Sequence, residues 1–135
     1  MLENLKLVIE SCGVAVHDNG ENSLIIEVGD SRSPIPAVLT ICNDELQVYC
    51  QITTVGEVGE DMIAELSIQA LTLNTELAPF AVAMMGGEDD AENWPIVLYD
   101  TIPVVDLQPS EIIHVVESLN RALIRVAAIV DPVAV

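Results

Sequence analysis

The densest chemistry in the sequence is the run Glu88-Asp89-Asp90-Ala91-Glu92, where four carboxylates fall within five residues. Calcium and magnesium take several carboxylate oxygens, so the run at 88–92 is a candidate metal or small-ligand loop. Calcium loops alternate their acids and hold a glycine at a fixed central position, and neither feature is present here. Charge runs of this kind ordinarily form solvated turns, and that is the role expected; no metal ligand is assigned. His17 and His114 are the two imidazoles, one in a turn and one on the polar side of a helix. No serine or cysteine nucleophile stands in a recognisable signature, so both read as surface residues and no catalytic residue is assigned.

Cys12, Cys42 and Cys50 make an odd count with no C-x-x-C pairing, which supports neither a disulfide framework nor a zinc knuckle. Reduced core thiols are expected. Near the carboxy terminus Glu117 precedes Arg121 by one helical turn in the favourable orientation, flanked by Ser118 and Arg125. This is a solvated helix face, or a place where an acidic residue of a partner docks. Trp94, between the acidic run and Pro95, either anchors a partner or packs where a strand begins, the second being the ordinary outcome.

The elements that hold these residues are legible from periodicity. Leu2, Leu5, Val8 and Ile9 recur at helical spacing up to Gly13, giving a helix that ends near Cys12. Val14 to Val16, the turn His17-Asp18-Asn19-Gly20 and the alternation of Leu24, Ile26 and Val28 predict a hairpin. Gly29 to Pro36, with two prolines and several small polar residues, reads as a loop or a strand entry at an edge. A second hairpin joins 37–42 to 46–54 around Asn43-Asp44-Glu45, with Cys42 opposite either Glu45 or Gln47. Both registers place Ala37, Leu39 and Ile41 on one face with Leu46, Val48, Cys50 and Ile52, and turn Cys42 to the other side, unable to bond Cys50.

A helix from Glu60 to about Asn74 carries the stripe Met62, Ile63, Leu66, Ala70 and Leu73. Beyond Pro79, strands at Phe80 to Met85 and Pro95 to Ile102 form a third hairpin. Pro109 opens a long final helix whose Ile112, Val116, Leu119, Leu123, Val126 and Val130 repeat in steps of four and three. The reading is a single α+β domain over 1–135, an antiparallel sheet packed with helices in the order α-β-β-β-β-α-β-β-α.

Composition limits the partners. The chain has 135 residues, is 51% hydrophobic and carries a net charge of −18 with four basic residues, Lys6, Arg32, Arg121 and Arg125. That much apolar material belongs to a packed core, with the acid on its surface. The scattered bases cannot neutralise a run of phosphates, which excludes nucleic acid. Gly86-Gly87 is followed by acids that repel a phosphate, and no cofactor is implied. The amino terminus lacks a basic leader before an apolar stretch and no apolar run spans a bilayer, so a cytoplasmic protein without a transmembrane segment is expected. A saline habitat is a third account of the charge. Ile25, Val38, Tyr49, Ile68, Leu71, Ile113 and Ile124 lie off the core faces, surplus apolar surface that points to association. The partner-binding candidates are Val38, Tyr49, Trp94, Ile113, Arg121 and Ile124.

The order of elements resembles the fold of type III secretion chaperones and YbjN-like proteins over nearly the whole chain. More narrowly, Pro34-Ile35-Pro36-Ala37-Val38-Leu39-Thr40, Gln47-Val48-Tyr49-Cys50, Leu73-Asn74 and Leu77-Ala78-Pro79-Phe80 look like the uncharacterised bacterial YjfI family. The segments 86–93 and 103–109 depart from that family's pattern. The resemblance implies a small acidic homodimer that holds partner polypeptides, with no catalytic residues, and a partner related to the phage-shock membrane-remodelling protein. A non-enzymatic adaptor, chaperone or regulator is thus the expected function, and a metal-binding module or small enzyme using 88–92 the alternative.

Overall fold

The computed structural model describes residues 2–29, 32, 34–88 and 90–130. Its elements are α1 (Leu2–Ser11), β1 (Val16–Asp18), β2 (Ser23–Val28), β3 (Ile35–Cys42), β4 (Glu45–Thr54), α2 (Val55–Val58), α3 (Glu60–Leu77), β5 (Ala81–Met84), β6 (Pro95–Pro103) and α4 (Pro109–Val130). A short 3-10 turn, Ala91–Asn93, precedes β6. The strands form one antiparallel sheet in the order β1-β2-β3-β4-β6-β5. The α+β order expected from the sequence is the one observed, with α2 as an added single turn.

Turn chemistry sets the register. Asn43 and Asp44 both take positive φ, 52° and 61°, the conformation that lets a two-residue loop follow the twist of its strands. Cys42 therefore faces Glu45, and Ala37, Leu39 and Ile41 oppose Cys50, Val48 and Leu46. Cys42 points away from Cys50, and all three cysteines are free, but only Cys50 is a core thiol: Cys12, past the end of α1, and Cys42, at the strand end on the outer face, are exposed. A bulge between Gln51 and Thr53 inserts Ile52, which packs against the core from the bend. At α4, the Gln108 N–H donates to Glu111 Oε2 at 2.7 Å, a side-chain cap on a helix that Pro109 begins.

One face of the sheet carries the core. Leu24, Ile26, Leu39, Leu46, Val48 and Leu98 are fully buried there under Leu5 and Ile9 of α1, Leu119 and Val126 of α4, and Leu77 at the end of α3. α4 lies between α1 and α3. No helix among the described residues is long and apolar enough to cross a membrane.

Several boundaries differ from expectation. β1 occupies 16–18 rather than 14–16, which puts His17 on a strand. The turn forms later because Asn19 bonds Ser23 through both backbone and side chain around Gly20 at φ 91°. α3 runs on to Leu77, and β5 is confined to 81–84. Met62 is half exposed rather than packed in the stripe. It stands at the start of α3, past the sheet, over a groove shared with Leu66, Ala128 and Ile129. Parts of the 29–36 loop and the side chain of Val130 lie outside the described residues.

Candidate protein-binding surfaces

The helices leave the second face of the sheet open among the described residues. Alternation along each strand brings its apolar residues there into register. Ile25 pairs with Val38, Val38 with Tyr49, Tyr49 with Tyr99 and Tyr99 with Ala81, a continuous row across five strands. All five are half-buried. His17 ends the row on β1; beside Tyr99 and Ala81 the face is closed over Val97, which is 1% exposed. The flanking row on one side, Ser23, Thr40, Gln47 and Thr101, is polar. Such a stripe offers apolar contact with a hydrogen-bonding margin.

Two candidates from the sequence, Val38 and Tyr49, are thus direct cross-strand neighbours on this face. Arg121 and Ile124 sit together elsewhere, on a cavity of about 310 Å³ between α4 and the end of α3 that Glu76, Ser118 and Arg125 also line. Arg121 donates to Ser118 Oγ at 3.2 Å instead of turning to Glu117, and Arg125 pairs with Glu76 of α3. Ile124 is 71% exposed. Ile113, half-buried, shares its side of α4 three turns away. Trp94 is half-buried and joins neither group. Its ring lies against Gly86, where an added Cβ would stand 3.5 Å from ring atoms, and its carbonyl accepts the Val55 N–H.

Glu88, Asp90 and Glu92 are exposed, Asp89 lies outside the described residues, and among those described no three ligating side chains converge. His17 stands 3.7 Å from Glu27, and His114 Nε2 is 3.4 Å from Ser118 Oγ. Burial pushes the Cys50 thiol up to about 11, which leaves it a poor nucleophile.

Two features escaped sequence reading, the far half of the open-face row and a carboxylate on the core face. Tyr99 and Ala81 complete the open-face row, but only the pairing of β6 with both β4 and β5 reveals it. Ile68 and Leu71, expected to lie off the core, are 67% and 73% exposed on α3, and Leu71 lines a groove with Met84 of β5, a second apolar patch. Asp100 sits on the core face of β6, where the alternation Ile96, Leu98, Asp100, Ile102 carried the signal.

No protein-family model matches the chain, and no curated protein does. Solved structures are similar across nearly its whole length. YbjN from E. coli aligns with a TM-score of 0.69 over 95% of this chain and 92% of its own, at 10% identity. A chain of the heterodimeric ExoU–SpcU complex from the type III secretion system of Pseudomonas aeruginosa gives 0.66 over 94% and 98%, at 15% identity. An uncharacterized protein from Methanothermobacter thermautotrophicus gives 0.63 over 96% of each chain, at 11% identity. The fold is the antiparallel α+β architecture of YbjN and the type III secretion chaperone-like proteins.

Proposed function

We propose that the chain is a non-enzymatic cytoplasmic adaptor or chaperone, a single domain that holds a segment of another polypeptide on the open face of its sheet. The observation that carries this reading is the row Ile25, Val38, Tyr49, Tyr99 and Ala81, an apolar stripe over five strands with no helix above it among the described residues. A basic amphipathic segment suits it: charge complementarity to a chain of −18 speeds encounter, while the stripe supplies contact area. ExoU–SpcU is itself a heterodimer on this fold, which supports a protein partner. Arg121, Ile113 and Ile124 belong to a secondary contact on α4, and Trp94 to the support of the loop before β6. A homodimer closing over Ile68, Leu71 and Met84 accounts for the second apolar patch. A relative of the phage-shock membrane-remodelling protein, the partner expected of a YjfI-like chain, is the first to test.

The test is titration of the purified partner segment into the native protein and into a Tyr49→Ser/Tyr99→Ser variant, with light scattering of both. Binding lost in the double variant, with its mass in solution unchanged, supports the reading. Undiminished binding in a folded double variant refutes the open face as the site.

A further inference from the structure

The core face of β6 breaks its apolar pattern once. Ile96, Leu98 and Ile102 point toward the helices, and in the same alternation, opposite Val48 of β4, so does the carboxylate of Asp100. Its Oδ1 accepts the Thr101 N–H at 2.9 Å, while its Oδ2 is buried and accepts from no group among the described residues. A buried acceptor without a donor costs free energy that an apolar side chain at this position would not. Beside it opens a cavity of about 390 Å³ between the end of β6 and the first turns of α4. Of the other polar groups on its wall, Ser110 is exposed, Glu111 accepts from the Gln108 N–H and His114 faces Ser118. The rest of the lining is apolar, Ile102, Leu107 and Val115 among it.

We propose that this cavity binds a primary ammonium group carried on an apolar stem, with Asp100 as its counter-ion. One carboxylate oxygen lacks a donor, which suits a compact point charge. A guanidinium fork is best met by both oxygens, and Thr101 already holds one. The terminal torsion of aspartate is broad, so a modest rotation lifts Oδ2 from the cavity floor to the ligand and replaces a lone acceptor with a charge-assisted hydrogen bond. The stem lies along Ile102, Leu107 and Val115. An anion is disfavoured by two carboxylates on the wall, Glu111 also offsetting the positive end of α4. The ammonium has two sources, a lysine side chain of a bound polypeptide or a free alkylamine. The first rests on the adaptor reading above and the second does not.

The experiment follows backbone amide shifts of the whole chain during titration with n-butylamine, with n-butanol as the uncharged control and with N-acetyl-lysine methylamide. Saturable shifts around Asp100 and His114 with either amine, absent with butanol, are expected. Asp100→Asn should weaken them by roughly thirtyfold or more. Val105→Trp, at an exposed position on the rim, blocks the cavity without touching the core and should abolish them. Tighter binding of the lysine derivative assigns the site to a polypeptide, and tighter binding of butylamine to a free amine. Equal response to butanol, or amine binding that survives in a folded Asp100→Asn chain, overturns the proposal. Tyr49 and Tyr99 lie on the opposite face, so ammonium binding persists in the Tyr49→Ser/Tyr99→Ser variant and the two readings fail independently.

Discussion

Replacing Asp100 with asparagine should stabilise the protein at neutral pH. The change is isosteric and keeps the oxygen that accepts the Thr101 N–H, while it removes the charge from a buried Oδ2 that has no donor among the described residues. An unsatisfied buried polar group costs about 1–3 kcal/mol, more when charged. Asp100 is only half-buried, so solvent screens part of that charge, and the new amide N–H brings its own need for a partner. A net gain of about 1 kcal/mol at pH 7 remains, equivalent to roughly 3–4 °C in Tm at this chain length. Acidity supplies the control. Burial raises the Asp100 carboxyl above its ordinary value, so the folded state holds the proton more tightly than the unfolded state. The penalty is therefore complete above the folded pKa, falls as pH drops through it, and is gone below the unfolded value of about 3.9. The gap in Tm between variant and wild type should be widest at pH 7 and close near pH 4, the other carboxylates contributing equally to both chains. Thermal melts by circular dichroism in half-unit steps of pH measure it. A variant less stable than wild type at pH 7, or a gap that does not narrow on acidification, would refute the reasoning.

Two further outcomes test the core. Cys12 and Cys42 are exposed and Cys50 is buried, so two thiols should react promptly with a disulfide reagent at pH 8 and the third only on unfolding in urea. Three prompt thiols would contradict the β3–β4 register. Leu119→Ala deletes a fully buried side chain midway along α4 and should lower stability by about 3–5 kcal/mol, read from the urea midpoint. A loss under about 1 kcal/mol would mean that α4 is not seated on the sheet as described.

The fold was legible where period and turn chemistry agreed. Leu39, Val48 and Cys50 alternate across a loop that can only be tight, so the core face of β3 and β4 followed from either register. α4 declared itself through Pro109 and a stripe repeated over six turns. β1 was misplaced by two residues because Asp18-Asn19-Gly20 and Gly20-Glu21-Asn22 are both good turn formers, and only the Asn19–Ser23 bonds choose between them. Met62 was misread because periodicity reports the side of a helix and not whether a neighbour reaches that far. The open-face row was half legible: Val38 and Tyr49 were visible as surplus apolar residues within one hairpin. Tyr99 was not, since it joins them through a strand about fifty residues away, and local patterning carries no information on which strands become neighbours. Arg121 was placed on the right helix face with the wrong companion, because i,i+4 spacing favoured Glu117 while the buried Ser118 offered a nearer acceptor.

The two features that remain costly in the free chain lie on opposite sides of one sheet. A row of tyrosine, valine and isoleucine left half in solvent forgoes burial that a helix on this face would have provided, and Asp100 places a carboxylate where Leu98 and Ile102 show that an apolar residue fits. β2 and the first half of β4 keep the pattern, alternating cleanly from Leu24 to Val28 and from Leu46 to Cys50. Packing does not require either departure, since each disappears on substitution by a residue already used at the neighbouring position. Departures that local physics disfavours and the fold does not need are those that binding explains best. Tyr49 and Tyr99 contact each other across β4 and β6, and Asp100 follows Tyr99 directly on the reverse face. Occupation of one side would therefore restrain the strand that carries the other, which makes β6 the element to watch when either ligand is added.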